Sequence, residues 1–157
     1  MSTLLRFLEF LSLGTWVGSI LYLSFVVAPG AFATLGSRDL AGAVVGMALG
    51  RLHVLGLVAG VIYLAARVAL ARSPAGLASA AALLVVVMLV LTLISQSVVS
   101  PRLAALRVEM GSVDAASQEN PLRIQFDRLH RASVQLEVAV LLAGLVALFL
   151  TVRERPL

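Results

Sequence analysis

Apolar residues fall along this chain in four long runs, about Leu4 to Ala28, Leu52 to Ala71, Leu77 to Val99 and Ala132 to Val152. A helix rising ~1.5 Å per residue needs roughly 20 residues to cross ~30 Å of hydrocarbon, and each run is long enough. Between them stand Pro29-Gly30, then Ser73-Pro74-Ala75-Gly76, then Pro101 and the turn-rich stretch from Gly111 to Pro121, all of which interrupt helices. The pattern predicts an all-α integral membrane protein, an up-down-up-down four-helix bundle forming one domain over residues 1–157, with no internal repeat. Arg6 ahead of an apolar run that ends near Ala31-Phe32-Ala33 resembles a secretory signal, but the run is long and carries Glu9, so it counts as a span. Two stretches, Asp39 to Arg51 and Pro121 to Arg131, read as amphipathic lead-ins to the second and fourth helices.

Composition agrees. Hydrophobic residues make up 61% of the 157 and charged residues 13%, with mean hydropathy +1.04, against ~45–50% and ~25% in soluble domains. That excludes an ordinary soluble domain, and a chain this apolar does not stay disordered. The lipid bilayer is its expected partner. The net charge of +4 is too small to argue for nucleic acid, and the absence of cysteine removes disulfides, thiolate metal sites and cysteine nucleophiles.

Four spans put both termini and the Arg72 to Gly76 connection on one side, A, and the longer connections on the other, B. Side A carries Arg6, Arg67, Arg72, Arg153 and Arg155, with Glu9 and Glu154; side B carries seven arginines, from Arg38 to Arg131, and six acids. The arginine counts nearly tie. The short side-A connection, with arginines at the span ends, places side A and both termini in the cytoplasm.

Helices in lipid associate through close packing at small residues rather than through apolar burial. Gly14 and Gly18, the ladder Gly42, Gly46 and Gly50, and then Gly56 and Gly60 supply such faces. They pack helices within the bundle, or against a second copy or another membrane protein. Trp16, mid-span, is expected to face other helices.

The two histidines are the most informative residues. His53 opens the second span and His130 the fourth, both from side B, and these helices are diagonal partners in such a bundle. At 100° per residue Gly46 and Gly60 project within ~20° of His53, so the ring points along the small-residue stripe. His130, Ser133 and Glu137 form one polar stripe on the fourth helix, and Gln96 and its neighbouring serines end the third. The expected site is therefore a side-B polar pocket of His53, His130, Gln96, Ser133 and Glu137, with Arg128 in support. An ionisable residue inside a span is functional by default, which singles out Glu137. Three readings compete: a hydrogen-bonded polar plug, a haem b held by His53 and His130 as axial ligands, and a transition-metal or proton pathway through His53, His130 and Glu137. The 111–120 segment reads as a plain polar connector.

Trp16 with Gly18, Pro29 followed by Phe32 and Leu35, His53, Pro101-Arg102, and the run Gln125-Phe126-x-Arg128-x-His130-x-x-Ser133 together resemble the transmembrane protein 205-like family over nearly the whole chain. The resemblance implies a four-helix membrane bundle, a eukaryotic relative linked to platinum-drug resistance, bacterial members of unknown function and hence a bacterial inner membrane. It implies no reaction. The chain departs from that pattern at Glu137, where an amide-type residue is usual, and near Arg51, where an aromatic is common. No nucleophile elbow, phosphate loop or zinc-protease helix is present, so an enzyme is not expected. The functional expectation is a small membrane protein binding haem b or another ligand in its two-histidine pocket. The alternatives are a non-catalytic subunit of a larger membrane complex and a metal or proton transport or resistance protein.

Overall fold

The computed structural model describes residues 2–154; Arg155, counted above on side A, lies outside them. Six α-helices follow one another: α1 Ser2–Tyr22, α2 Ala28–Thr34, α3 Arg38–Ala71, α4 Ala80–Ile94, α5 Ser100–Met110 and α6 Pro121–Arg153. Among the described residues there are no strands. The helices group into four apolar spans, Ser2–Thr34, Arg38–Ala71, Ala80–Met110 and Pro121–Arg153, so the protein is an all-α membrane bundle. α3 packs between α1 and α4, and α6 packs on both α4 and α1. α3 and α6 therefore occupy one diagonal, the arrangement expected from the alternating directions of the spans.

The helix starts are written locally. The Ser37 hydroxyl accepts from the amides of Asp39 and Leu40 at the head of α3, Ser79 accepts from Ala82 in α4, and the Asn120 side chain accepts from Leu122 with Pro121 at the first position of α6, each satisfying an otherwise orphaned N–H. The lead-ins predicted from Asp39 and Pro121 are continuous with their spans. At ~1.5 Å per residue the 34-residue α3 is ~51 Å long, well over the hydrocarbon thickness, and so projects from the membrane.

Two predicted breaks are corrected. Pro29-Gly30 and Pro101 do not end their helices. Each proline sits at the second position of α2 or α5, directly after a π-helical turn, Leu23–Val27 or Ser95–Val99. Proline has no amide to give the carbonyl four residues back, and its ring crowds that carbonyl, here Phe25 and Ser97. The wider i→i+5 turn accommodates the misfit, and the chain stays helical. The first span ends only at Leu35, and the third runs on to Gly111, whose φ of 71° closes it in a backbone region suited to glycine.

The tight core lies on the side-A half and the middle of the bundle. Trp16, Tyr63, Val85, Met88, Val140 and Ala147 are buried there. Trp16 faces the other helices as expected. A Cβ added at Gly56 would stand 2.9 Å from Trp16 Cδ1, one at Gly60 2.9 Å from Trp16 Cζ3, and one at Gly144 2.7 Å from Val17 Cγ2, so these glycines are what lets the helices approach. Gly14, Gly18, Gly46 and Gly50 have no atom within 4 Å of such a Cβ.

The side-B half is organised differently. After the π turns, α2 packs on α3 and α5 packs on α6, which leaves two helix pairs facing each other across a gap.

Candidate functional site

The gap between the pairs is a cavity of about 670 Å³, lined by the π turn and start of the second half of the first span, by α3 from Gly42 to Leu49, by α5 and by α6 from His130 to Leu141. Its walls are mostly apolar, Ile20, Leu23, Phe32, Leu103 and Leu141 among them. Met47, Val134 and Val138 line it and are also exposed, so in a bilayer its rim meets hydrocarbon. The ionisable lining comes from one wall, Arg107 from α5 and His130 and Glu137 from α6, with the hydroxyls of Ser133, Ser100 and, from the first span, Ser24 beside it.

Of the predicted pocket, His53, Gln96 and Glu137 come together as hydrogen-bond partners. The His53 ring is fully buried. Its Nδ1 lies 2.8 Å from Gln96 Oε1 and its Nε2 3.3 Å from Glu137 Oε2. With Gln96 Oε1 accepting, Nδ1 carries a proton, and Nε2 faces the carboxylate. The network ties α3 across the diagonal to α6 and to the π turn of the third span. Glu137 Oε1 is buried without a hydrogen-bond partner, and the same residue lines the cavity, so Glu137 is the link between His53 and the open space. Gln96 stands in the π turn itself, which is one way such turns redirect a polar side chain inward.

His130 does not join that network. It is exposed, stacks on Phe126 at 6.1 Å between ring centroids with planes 2° apart, and lines the cavity with Ser133 and Glu137. Seven residues of helix separate His130 from Glu137, ~10.5 Å along the axis. Arg128 is exposed and is not among the residues lining the cavity. The cation beside the histidine is Arg107, whose guanidinium carbon lies 5.3 Å from the Phe126 ring centroid and whose Nη1 would stand 2.8 Å from a Cβ at Gly42. Sequence reasoning missed Arg107, since it follows a proline read as a helix break. The available signal was Gly42 at the end of the glycine ladder, which marks a close approach without naming what approaches. Among the described residues no group of three or more His, Cys, Asp or Glu side chains is placed to hold a metal ion.

The side-B end of the cavity is strapped. The Ser112 hydroxyl donates to Asp39 Oδ2 at 2.5 Å, the Val113 amide to Asp39 Oδ1 at 2.9 Å, and the Arg38 amide to Asp114 at 3.1 Å. Arg123 donates to the Val113 carbonyl and pairs with Asp127. The segment expected to be a plain connector is therefore tied to the head of α3.

Side A is closed by a half-buried cluster. Arg67 of α3 pairs with Glu9 of α1 at 3.5 Å and with Glu154 at the end of α6, and donates to Ser79, the N-cap of α4, at 2.7 Å. One turn away Tyr63 and Thr151 share a hydrogen bond of 2.7 Å. All four spans meet at one guanidinium.

No curated protein and no solved structure matches the chain. A family model described as a domain of unknown function (DUF4149) matches residues 11–112, which takes in most of the first span, all of the second and third, and with them His53, Gln96 and Arg107, and stops short of α6 with His130, Ser133 and Glu137. That match covers well over half of the sequence, and the chain accordingly belongs to the DUF4149 family.

Proposed function

We propose that this protein is a membrane-embedded binding protein for an amphipathic small molecule, taken into the side-B cavity from the surrounding lipid. The observation that carries the reading is the cavity itself. Its volume falls in the ~300–1,000 Å³ range of small-molecule sites, and a few convergent polar groups on apolar walls are what such sites use to orient a ligand. Those polar groups are Arg107, His130, Ser133 and Glu137, the last of them held by His53. Native mass spectrometry with hexadecanol and hexadecanoate as probes tests this: wild-type protein carries one bound probe, and Gly46→Phe, which fills the cavity from a position with no neighbour within 4 Å, carries none. Equal adducts on the two proteins defeat the reading.

A haem b held by both histidines is a narrower version that the side chains as arranged do not fit, because both His53 ring nitrogens already face partners. A Soret band that shifts on dithionite reduction and disappears in both His53→Ala and His130→Ala would reinstate it. The subunit reading draws on Gly14 and Gly18, where an added Cβ would meet no neighbouring side chain among the described residues, and a native membrane extract in which the chain runs alone counts against it. Kinship with the transmembrane protein 205-like family rests on Trp16, His53 and the Gln125 to Ser133 run. Residence in a bacterial inner membrane follows from that kinship, and cytoplasmic termini follow from the arginines flanking the short Arg72 to Gly76 connection.

A further inference from the structure

Building on the ligand-binding reading, we infer that the cavity selects single-chain amphiphiles with an anionic head, a carboxylate or a phosphate monoester, received by Arg107 and His130 at its side-B end. Arg107 lines the cavity, and among the described residues no carboxylate lies within 4 Å of it. Asp39, the acid that interacts with it through space, has its oxygens bonded to Ser112 and Val113. The guanidinium is instead held by the Phe126 face and by the bare backbone at Gly42. These contacts fix a planar donor fork while leaving its hydrogen bonds to be made, the arrangement that suits a carboxylate or phosphate.

A second hydrogen-bonding group, His130, stacks on the same Phe126 ring and lines the same cavity. The one acid on the cavity wall, Glu137, stands ~10.5 Å further in along α6 and already faces His53 Nε2. The Arg107 cation and the hydrogen-bonding His130 imidazole thus gather at the strapped, water-facing end and apolar groups further in, matching a head at Arg107 and a chain reaching toward Leu141 and Ile20. A cation at the same end would meet the Arg107 guanidinium, while the Asp39 carboxylate is already bonded to Ser112 and Val113.

The test is competition by native mass spectrometry and equilibrium binding among hexadecanoate, hexadecyl phosphate, hexadecanol and hexadecyltrimethylammonium on the detergent-purified full chain. One of the two anions, and which one identifies the head, should bind at least about tenfold tighter than hexadecanol, the lower end of what a charge-assisted hydrogen bond supplies. Arg107→Gln should remove that margin without weakening hexadecanol, and Arg107→Lys should keep part of it, which separates loss of charge from loss of fold. Hexadecanol binding as tightly as both anions, or preference for the cationic probe, overturns the inference while leaving the cavity reading intact. Failure of every probe to give an adduct sensitive to Gly46→Phe overturns the cavity reading as well.

Discussion

His53 shows what a single residue can reveal before any coordinates are known. Its inward direction was legible because Gly46 and Gly60 share its face, and a residue on a small-residue stripe meets protein rather than lipid. Its partners Gln96 and Glu137 were legible only as members of a wider expected pocket that also held His130, Ser133 and Arg128, all at the depth where spans two, three and four approach side B. That His130 turns away onto Phe126 was not legible, since equal depth says nothing about which side of a helix pair a ring occupies. Interhelical hydrogen bonds in membranes average only ~0.6 kcal/mol, with a maximum near ~1.7, because the unfolded chain also finds partners in lipid. A double-mutant cycle of His53→Ala and Glu137→Ala, read by unfolding in detergent, should therefore give a coupling of about 0.6–1.7 kcal/mol; a coupling of zero would mean that the 3.3 Å contact is incidental. Glycines give a sharper contrast at the same scale. Gly56→Ala drives a methyl into the Trp16 indole and should cost about 1–3 kcal/mol by overpacking, whereas Gly14→Ala meets open space and should stay within about 0.5 kcal/mol. Similar losses at both positions would contradict the packing described here.

At the scale of elements, the spans were legible because twenty apolar residues in a row admit few other structures, while their ends were not. Pro29 and Pro101 read as stops, and a local rule about proline is correct about the lost hydrogen bond but silent on whether the helix can widen to absorb it. Both spans do so with a π turn, and after those turns the α2–α3 pair and the α5–α6 pair pack separately. The same misreading hid Arg107, which a helix ending at Val99 would have left in a loop. If Pro101 is the cause of the Ser95–Val99 turn, Pro101→Ala should let α4 and α5 relax into one regular helix, and removing the extra residue of a π turn rotates everything after it by ~100°. Ala104 lines the cavity and Ala105 does not. The chain has no cysteine, so single cysteines at these two positions report cleanly. Maleimide blocking by a cavity-bound probe such as hexadecanoate should protect Ala104→Cys in the parent, and that protection should be lost in the Pro101→Ala background. Unchanged protection would show that the turn persists without its proline.

The whole molecule is asymmetric along the membrane normal, and the asymmetry is energetic as well as geometric. At side A a guanidinium only 16% exposed faces a glutamate 5% exposed and a second one 33% exposed, and four spans converge on it. No pattern in the sequence joins Glu9 to Arg67 and Glu154, since the residues are far apart along the chain and each reads separately as a charge near a span end. At side B the two helix pairs meet across the cavity rather than through a packed core, joined by polar ties, chiefly the Asp39 strap, the Arg107 contact at Gly42 and the His53 network. Breaking a buried ion pair by removing one partner leaves the other charge uncompensated and costs about 3–5 kcal/mol. Arg67→Leu should sit near the lower end, about 3 kcal/mol, because Glu154 retains water, and the loss should appear as a lower midpoint of unfolding in detergent; a loss under about 1 kcal/mol would mean the cluster is not what closes side A.

Low-stability regions are where binding-linked motion concentrates, so ligand entry should move side B and leave side A in place. Spin labels on cysteines at Gly36 and Glu109 bracket the two side-B pairs, and labels at Ala71 and Arg153 bracket the clasped end. On addition of hexadecanoate the distance distribution between the first pair should narrow or shift while the second stays unchanged. A shift of equal size at both ends would instead describe a bundle that breathes as one body, with no distinct mouth for a ligand to enter.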